Sequence, residues 1–309
     1  MINVLFAAKA ERWDTYEAPL RAAFAELGLD VDLRTEFAQE QVDYIVYAPN
    51  SDVQDFTPYT RCKAVLNLWA GVEAVVGNDT LTQPLARMVD YGLTQGMVEW
   101  VTGHVLRHHL GMDLHIKGQD GVWRDYVPPL AEDRRVTILG LGALGMACAK
   151  ALRGLGFTVT GWSRTPKEAD GITCLHGADG LAKALERADI LVLLLPNTPA
   201  TENTVDAAAL ARMPKGAFIV NPGRGPLIDD DALLAALDRG QIAHATLDVF
   251  RVEPLPADHP YWAHPDVTVT PHIASETRPE SASRVIAENV RRGEAGEPFL
   301  HLVDRSAGY

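Results

Sequence analysis

Three residues of types suited to carbonyl chemistry fall at the ends of successive apolar runs. They are Arg224 in Asn221-Pro222-Gly223-Arg224-Gly225, Glu253 just after Asp248-Val249-Phe250, and His272 in Pro271-His272-Ile273-Ala274-Ser275. A guanidinium can bind an anionic substrate, an imidazole can pass a proton to a carbonyl oxygen, and a carboxylate can hold that imidazole. Taken singly, each has an ordinary structural reading: an arginine in a glycine turn, a loop carboxylate, a packing residue at a strand end. In a parallel sheet, however, all C-terminal strand ends open on one edge, so the three residues form a usable set if the runs are parallel strands.

The element that makes them so lies upstream. Arg135-Val136-Thr137-Ile138-Leu139 is apolar and β-branched, breaks into Gly140-Leu141-Gly142-Ala143-Leu144-Gly145, and continues as an Ala/Leu-rich helical pattern from Met146 to Leu155. A second strand, Thr158-Val159-Thr160-Gly161-Trp162, closes a βαβ unit. The spacing G-x-G-x-x-G in this context predicts a dinucleotide site: a tight turn at Gly140, backbone approach to a pyrophosphate at Gly142, and close helix packing at Gly145. About 20 residues on, where an acidic residue would bind an adenosine ribose, stands Ser163, followed by Arg164-Thr165-Pro166-Lys167. A carboxylate would repel a 2′-phosphate and a guanidinium can fork onto one, so NADP(H) is expected, with NAD weaker.

The 309 residues suffice for two domains, and 47% hydrophobic with 22% charged residues is ordinary globular composition. A net charge of −13 without a basic block argues against nucleic acid or an anionic membrane as partner. Cys62, Cys148 and Cys174 are odd in number and widely spaced, which fits a reducing cytoplasm, and no leader or membrane-length apolar run is visible. Short strands are expected at Asn3 to Ala8, Val31 to Leu33, Tyr44 to Tyr47, Ala64 to Leu68, Ile190 to Leu195, Ala217 to Val220, Ile242 to Val249 and Val267 to Thr270. Helices are expected at Tyr16 to Leu27, Gly96 to His115, Leu210 to Met213, Asp231 to Leu237 and Ser281 to Arg292. His104, His108 and His109 share a helix without an accompanying carboxylate or thiolate, so no metal site is expected. Gly118 to Pro129 reads as a loop, either a dimer arm or plain surface.

The order of these motifs, with Leu195-Pro196-Asn197-Thr198-Pro199 and Asn67-Leu68-Trp69-Ala70-Gly71-Val72-Glu73, resembles the D-isomer-specific 2-hydroxyacid dehydrogenase family over essentially the whole chain. Trp162-Ser163-Arg164 and Gly96-Met97-Val98-Glu99-Trp100 make it most similar to the NADPH-dependent glyoxylate/hydroxypyruvate reductases. The resemblance implies an α/β fold of two domains: a doubly wound parallel-sheet Rossmann domain over 96–275, and a smaller flavodoxin-like substrate domain over 1–95 and 276–309. It implies Arg224 as substrate anchor and Glu253 paired with His272 as acid/base. Cofactor contacts would come from Gly140, Gly142, Ala143, Leu144, Gly145, Ser163, Arg164, Thr165, Lys167, Leu195, Pro196, Pro222, Gly223, Asp248 and Ala274. Tyr47, Trp69, Ala70, Gly71, Val72 and Met97 would line the substrate site, and bulky residues there imply a small 2-oxo acid. A cytoplasmic homodimer is expected. The alternatives are a non-catalytic dinucleotide-sensing protein and a dehydrogenase of this family acting on another 2-oxo acid.

Overall fold

The computed structural model describes residues 1–305 and divides into two units, Met1–Leu93 with Thr277–Tyr309, and Thr94–Glu276. Residues 306–309 of the expected substrate domain lie outside the described residues.

In the smaller unit, strand β1 (Ile2–Ala7) leads through helix α1 (Ala10–Glu26) to β2 (Val31–Arg34), β3 (Tyr44–Tyr47), β4 (Ala64–Asn67) and the two-residue β5 (Leu85–Ala86). All pair in parallel in the order β2-β1-β3-β4-β5, the doubly wound order of flavodoxin-like folds. β3 and β4 are buried at every position, because helices cover both faces of a parallel sheet and no alternation is needed. The C-terminal helix Pro279–Ala295 packs on α1, burying Ala282, Ile286, Ala287 and Val290 at helical spacing.

Helix α2 (Tyr91–His109) begins in the smaller unit and continues into the larger one; it starts earlier than Gly96 because Asp90 Oδ1 accepts the Leu93 N–H at 3.0 Å and so caps the first turn. It also stops earlier than His115: Gly111, at φ 64°, turns the chain into a separate short helix, α3 (Met112–Lys117). β6 (Arg135–Leu139), α4 (Ala143–Gly154), β7 (Thr158–Ser163), β8 (Thr173–His176), α5 (Gly177–Leu185), β9 (Ile190–Leu193), α6 (Ala207–Arg212), β10 (Ala217–Asn221), α7 (Asp230–Asp238), β11 (Ile242–Leu247) and β12 (Val267–Val269) follow. α6 begins at Ala207, before the expected Leu210, because Asp206 caps it by accepting the Ala209 N–H at 2.8 Å. The seven strands are all parallel in the order β12-β11-β10-β9-β6-β7-β8. The chain order reverses between β6 and β9, and the glycine turn sits at the C-terminal end of β6, beside that switch point.

His108 and His109 of α2 are buried, and His104 is half-buried. His108 Nε2 is 2.9 Å from Thr246 Oγ1, its ring stacks on Phe218, and burial pushes its pKa down to about 3. His104 packs on Trp100, and His109 lies edge-on to Phe157.

Candidate active site

The three motif glycines are small for different reasons. A Cβ on Gly145 would lie 1.7 Å from the Gly140 carbonyl oxygen, and one on Gly140, at φ 110°, would lie 2.4 Å from that of Leu194. The fold itself therefore demands those two. A Cβ on Gly142 would meet nothing within 4 Å. Nothing in the protein requires a glycine there, whereas a ligand backbone approaching the start of α4 does. Gly142 is also the N-cap of α4 and supplies no side-chain cap, so the first N–H groups of the helix, at the exposed Ala143 and half-buried Leu144, face outward with the positive end of the helix dipole. These residues fit a dinucleotide pyrophosphate.

At the end of β7, Arg164, Thr165 and Lys167 are exposed, as a phosphate-binding loop requires. Ser163 departs from its expected role. It is buried, and its hydroxyl donates to the Thr165 carbonyl at 2.8 Å. Its single proton shapes the loop that carries Arg164 instead of reaching outward.

The strand ends bring Glu253 and His272 together. His272 Nδ1 lies 2.7 Å from Glu253 Oε2, and Glu253 Oε1 accepts the Phe250 N–H at 2.8 Å. The Glu253 hydrogen bond raises the His272 pKa above its ordinary value, with burial and the charge of Arg224 opposing. Burial pushes the Glu253 carboxyl up, but hydrogen bonds from His272 and Phe250 outweigh it and leave it below the usual range. The pair is thus biased toward imidazolium and carboxylate. With Nδ1 engaged, Nε2 is the nitrogen left to exchange a proton with a substrate.

Arg224 stands on a turn folded by Asn221, which is fully buried: its amide donates to the Arg224 carbonyl at 3.0 Å, and its Oδ1 accepts the Gly223 N–H at 3.1 Å. A Cβ on Gly225 would lie 2.0 Å from the Phe250 carbonyl carbon, so the turn presses against the segment that carries Glu253. Arg251 ties the same segments together by donating to Asn203 Oδ1 and the Ile228 carbonyl.

Asp248 holds the segment that carries His272. It is fully buried and both oxygens are taken: Oδ1 accepts Thr270 Oγ1 at 2.5 Å and the Ile273 N–H at 3.0 Å, and Oδ2 accepts the Ala274 N–H at 2.9 Å. The Asp248 carbonyl accepts the His272 N–H at 2.8 Å. One residue thereby holds 270–274 around His272, whose φ of 54° lies in the left-handed region that costs a side-chain-bearing residue about 1 kcal/mol or more. The clamping roles of Asn221, Thr270, Arg251 and Asp248 are not legible in the motifs themselves. A buried Asp or Asn at a strand end, flanked by the N–H groups of a turn, is the signal that points to such clamps.

Leu195 and Ala274 are buried in the core of this unit, as are Pro222 and Gly223 at the Arg224 turn. Pro196 is half-buried, and its carbonyl accepts Thr201 Oγ1 at 2.7 Å. Met97 is also a correction. It is 4% exposed and packs with Val101 and Val105, so its side chain belongs to the core and not to a substrate wall.

In the smaller unit, the loop after β4 is drawn inward by its carbonyls. Asn67 Nδ2 donates to the Trp69 and Gly71 carbonyls at 2.9 and 3.0 Å, and the Met88 N–H to that of Trp69 at 3.0 Å. The N–H groups of Ala70, Gly71 and Val72 donate to no acceptor among the described residues, so consecutive backbone donors stand available to an anion. Trp69 is exposed beside it. Tyr47 is 1% exposed and packed edge-on to Phe56, so it fills this unit's core and lines no pocket, contrary to expectation.

A seven-stranded doubly wound sheet with a glycine turn at its switch point, and an Arg, Glu, His set on the same edge, defines a dinucleotide-dependent oxidoreductase. Residues 103–274 match the model of the D-isomer specific 2-hydroxyacid dehydrogenase NAD binding domain. The chain belongs to the D-isomer specific 2-hydroxyacid dehydrogenase family. It is 41% identical over 257 residues to a glyoxylate/hydroxypyruvate reductase A of Serratia proteamaculans (strain 568), covering 81% of this chain and 82% of that one. It superposes with a TM-score of 0.93 and 41% identity on a D-isomer specific 2-hydroxyacid dehydrogenase from Xanthobacter autotrophicus Py2 in complex with NADPH and MES, over 100% of this chain and 99% of that one. For the NADPH-dependent glyoxylate/hydroxypyruvate reductase of Sinorhizobium meliloti in complex with NADP and sulfate, the TM-score is 0.87 at 33% identity, over the full length of both.

Proposed function

We propose that this protein reduces a small 2-oxo acid, glyoxylate or hydroxypyruvate, to the D-2-hydroxy acid with NADPH. The observation that carries this reading is the 2.7 Å pair of His272 Nδ1 and Glu253 Oε2, on the sheet edge that also carries Arg224 and the Gly142 cradle. Gly140, Gly142, Ala143, Leu144 and Gly145 would hold the pyrophosphate, and Arg164 with Thr165 and Lys167 the 2′-phosphate. When bound, the reduced dinucleotide supplies the hydride for the keto carbon. His272 donates the Nε2 proton to the carbonyl oxygen, and Glu253 stabilises the imidazolium before transfer and fixes the ring's orientation. Arg224 binds the substrate carboxylate and polarises the carbonyl. The free N–H groups of Ala70–Val72 serve the carboxylate as further donors. In oxidation the same imidazole, neutral, accepts the hydroxyl proton.

A homodimer is part of this reading. Met112, Ile116, Trp123, Val127 and Leu130 are exposed apolar residues within one segment of α3 and the following loop, and Trp123 is 93% exposed. A concentrated apolar stretch of this kind is characteristic of a surface covered by a partner. No helix among the described residues is long and apolar enough to cross a membrane, and residence in the cytoplasm fits three cysteines without disulfide partners.

The test is steady-state turnover of NADPH with glyoxylate, hydroxypyruvate and phenylpyruvate. The first two should be substrates and the third poor, and His272→Gln should lower turnover about 10²- to 10⁴-fold while NADPH still binds. Loss below tenfold at every pH would remove His272 from the mechanism.

A further inference from the structure

Arg87 follows β5 at the same sheet edge from which the Trp69–Val72 loop leaves β4, its parallel neighbour. The two segments are joined directly, since the residue after Arg87, Met88, donates its N–H to the Trp69 carbonyl at 3.0 Å. Arg87 is also fixed from the other side, its own N–H donating to the His301 carbonyl at 3.0 Å. The backbone on both sides of this arginine is therefore pinned.

Its side chain is half-buried, yet among the described residues the guanidinium donates no hydrogen bond and makes no ion pair within 4 Å. Burial draws its pKa below the ordinary arginine value, and the charge of Glu73, on the same loop, acts in the opposite sense. His301 faces it as well, and its imidazole is held below its ordinary pKa by burial and by Arg87. Taking a cation partly out of water without giving its five N–H groups acceptors is unfavourable, and the cost is recovered when an anion with oxygen acceptors arrives.

We propose that Arg87 is a second cationic contact for the substrate carboxylate, acting with the backbone N–H groups of Ala70, Gly71 and Val72. The inference rests on the 2-oxo acid reading above. It adds to it a residue for which the sequence carried no signal: Arg87 lies in Pro84-Leu85-Ala86-Arg87-Met88, a stretch without a glycine turn or a recognisable motif. A guanidinium can fork onto both carboxylate oxygens, which a lysine ammonium cannot.

The test is Arg87→Gln and Arg87→Lys, measured with glyoxylate, hydroxypyruvate and NADPH as varied reactants. Because the carboxylate is common to both acids, Arg87→Gln should raise KM for both by a similar factor, about 10- to 100-fold. The kcat at saturation and the KM for NADPH should stay within threefold. Arg87→Lys should restore part of the loss. The unfolding midpoint should change little, since the guanidinium makes no hydrogen bond or close ion pair among the described residues. An unchanged KM overturns the assignment, as does a loss confined to hydroxypyruvate, which would place Arg87 at the C3 hydroxyl. A parallel change in kcat, NADPH KM and unfolding midpoint would make it a structural residue and likewise overturn it. Calorimetry with oxalate, a non-reducible two-carbon acid, decides the matter separately: weaker oxalate binding by Arg87→Gln supports the anion contact even if neither oxo acid is turned over, a result that would sink the proposed reaction alone.

Discussion

Replacing Asp248 by Asn leaves the side chain almost the same size and removes one acceptor oxygen from a site where three donors converge. If the amide oxygen keeps Thr270 Oγ1 and the Ile273 N–H, the new NH2 group is placed against the Ala274 N–H, which now lies 2.9 Å from Oδ2. Two donors then face each other in a fully buried position. The variant loses one charge-assisted hydrogen bond and leaves a buried N–H unsatisfied, each worth about 1–3 kcal/mol. The combined destabilisation of about 2–6 kcal/mol has two outlets. The unfolding midpoint of the larger unit falls, or segment 270–274 releases and His272 leaves the left-handed conformation in which it meets Glu253. Release forfeits much of the general-acid contribution, so kcat should drop by about 10²-fold or more while NADPH KM moves little. The assays are denaturant unfolding and steady-state kinetics with each reactant varied. Wild-type kcat and midpoint with a raised NADPH KM would refute this reasoning and leave Asp248 a cofactor contact alone.

Glu253→Gln addresses the acid/base pair. The Glu253 hydrogen bond and charge hold the His272 pKa above its ordinary value, and the imidazolium is the donor in reduction. Reductive kcat should therefore fall as pH rises through that raised pKa, oxidation should rise there, and the substitution should move both midpoints to lower pH; midpoints that stay in place contradict the assignment. Arg164→Ala should raise NADPH KM roughly tenfold, the low end for a charge-assisted contact on an exposed loop, with NADH KM and saturated kcat little changed. Equal kcat/KM for NADPH and NADH in the unmodified protein would count against the loop's role. Trp123→Asp combined with Val127→Asp should convert a dimer to monomer in sedimentation velocity, and a wild-type protein that sediments as a monomer at micromolar concentration removes the proposed interface.

Much of this was legible because the signals are local. The Gly140–Gly145 spacing, the continuous apolar strands and the strand-end positions of Arg224, Glu253 and His272 each depend on neighbours in the chain. What escaped depends on distant partners. β8 and α5 went unread because Thr173-Cys174-Leu175-His176 is an edge strand with no fully buried residue, so it carries little apolar pattern. Tyr47 and Met97 were placed at a substrate wall by proximity in sequence, whereas packing against Phe56 and Val101 decides their burial. Asp248 is expected at the cofactor from the family resemblance, which carries no hint that it also holds the His272 segment. Its partners, Thr270 to Ala274, lie more than twenty residues away, and only the fold reveals that they use both of its oxygens.

The division of the chain into a continuous unit and an interrupted one bears on how the protein is made. All seven strands of the larger sheet have been synthesised by residue 269, and that unit is whole at Glu276. The smaller unit has its five strands by Ala86, but α1 lacks the helix that packs on it until Pro279–Ala295 emerges, nearly two hundred residues later. On a ribosome adding roughly 5–20 residues per second, that interval lasts on the order of 10–40 s. The first part to be translated is thus the last to be finished.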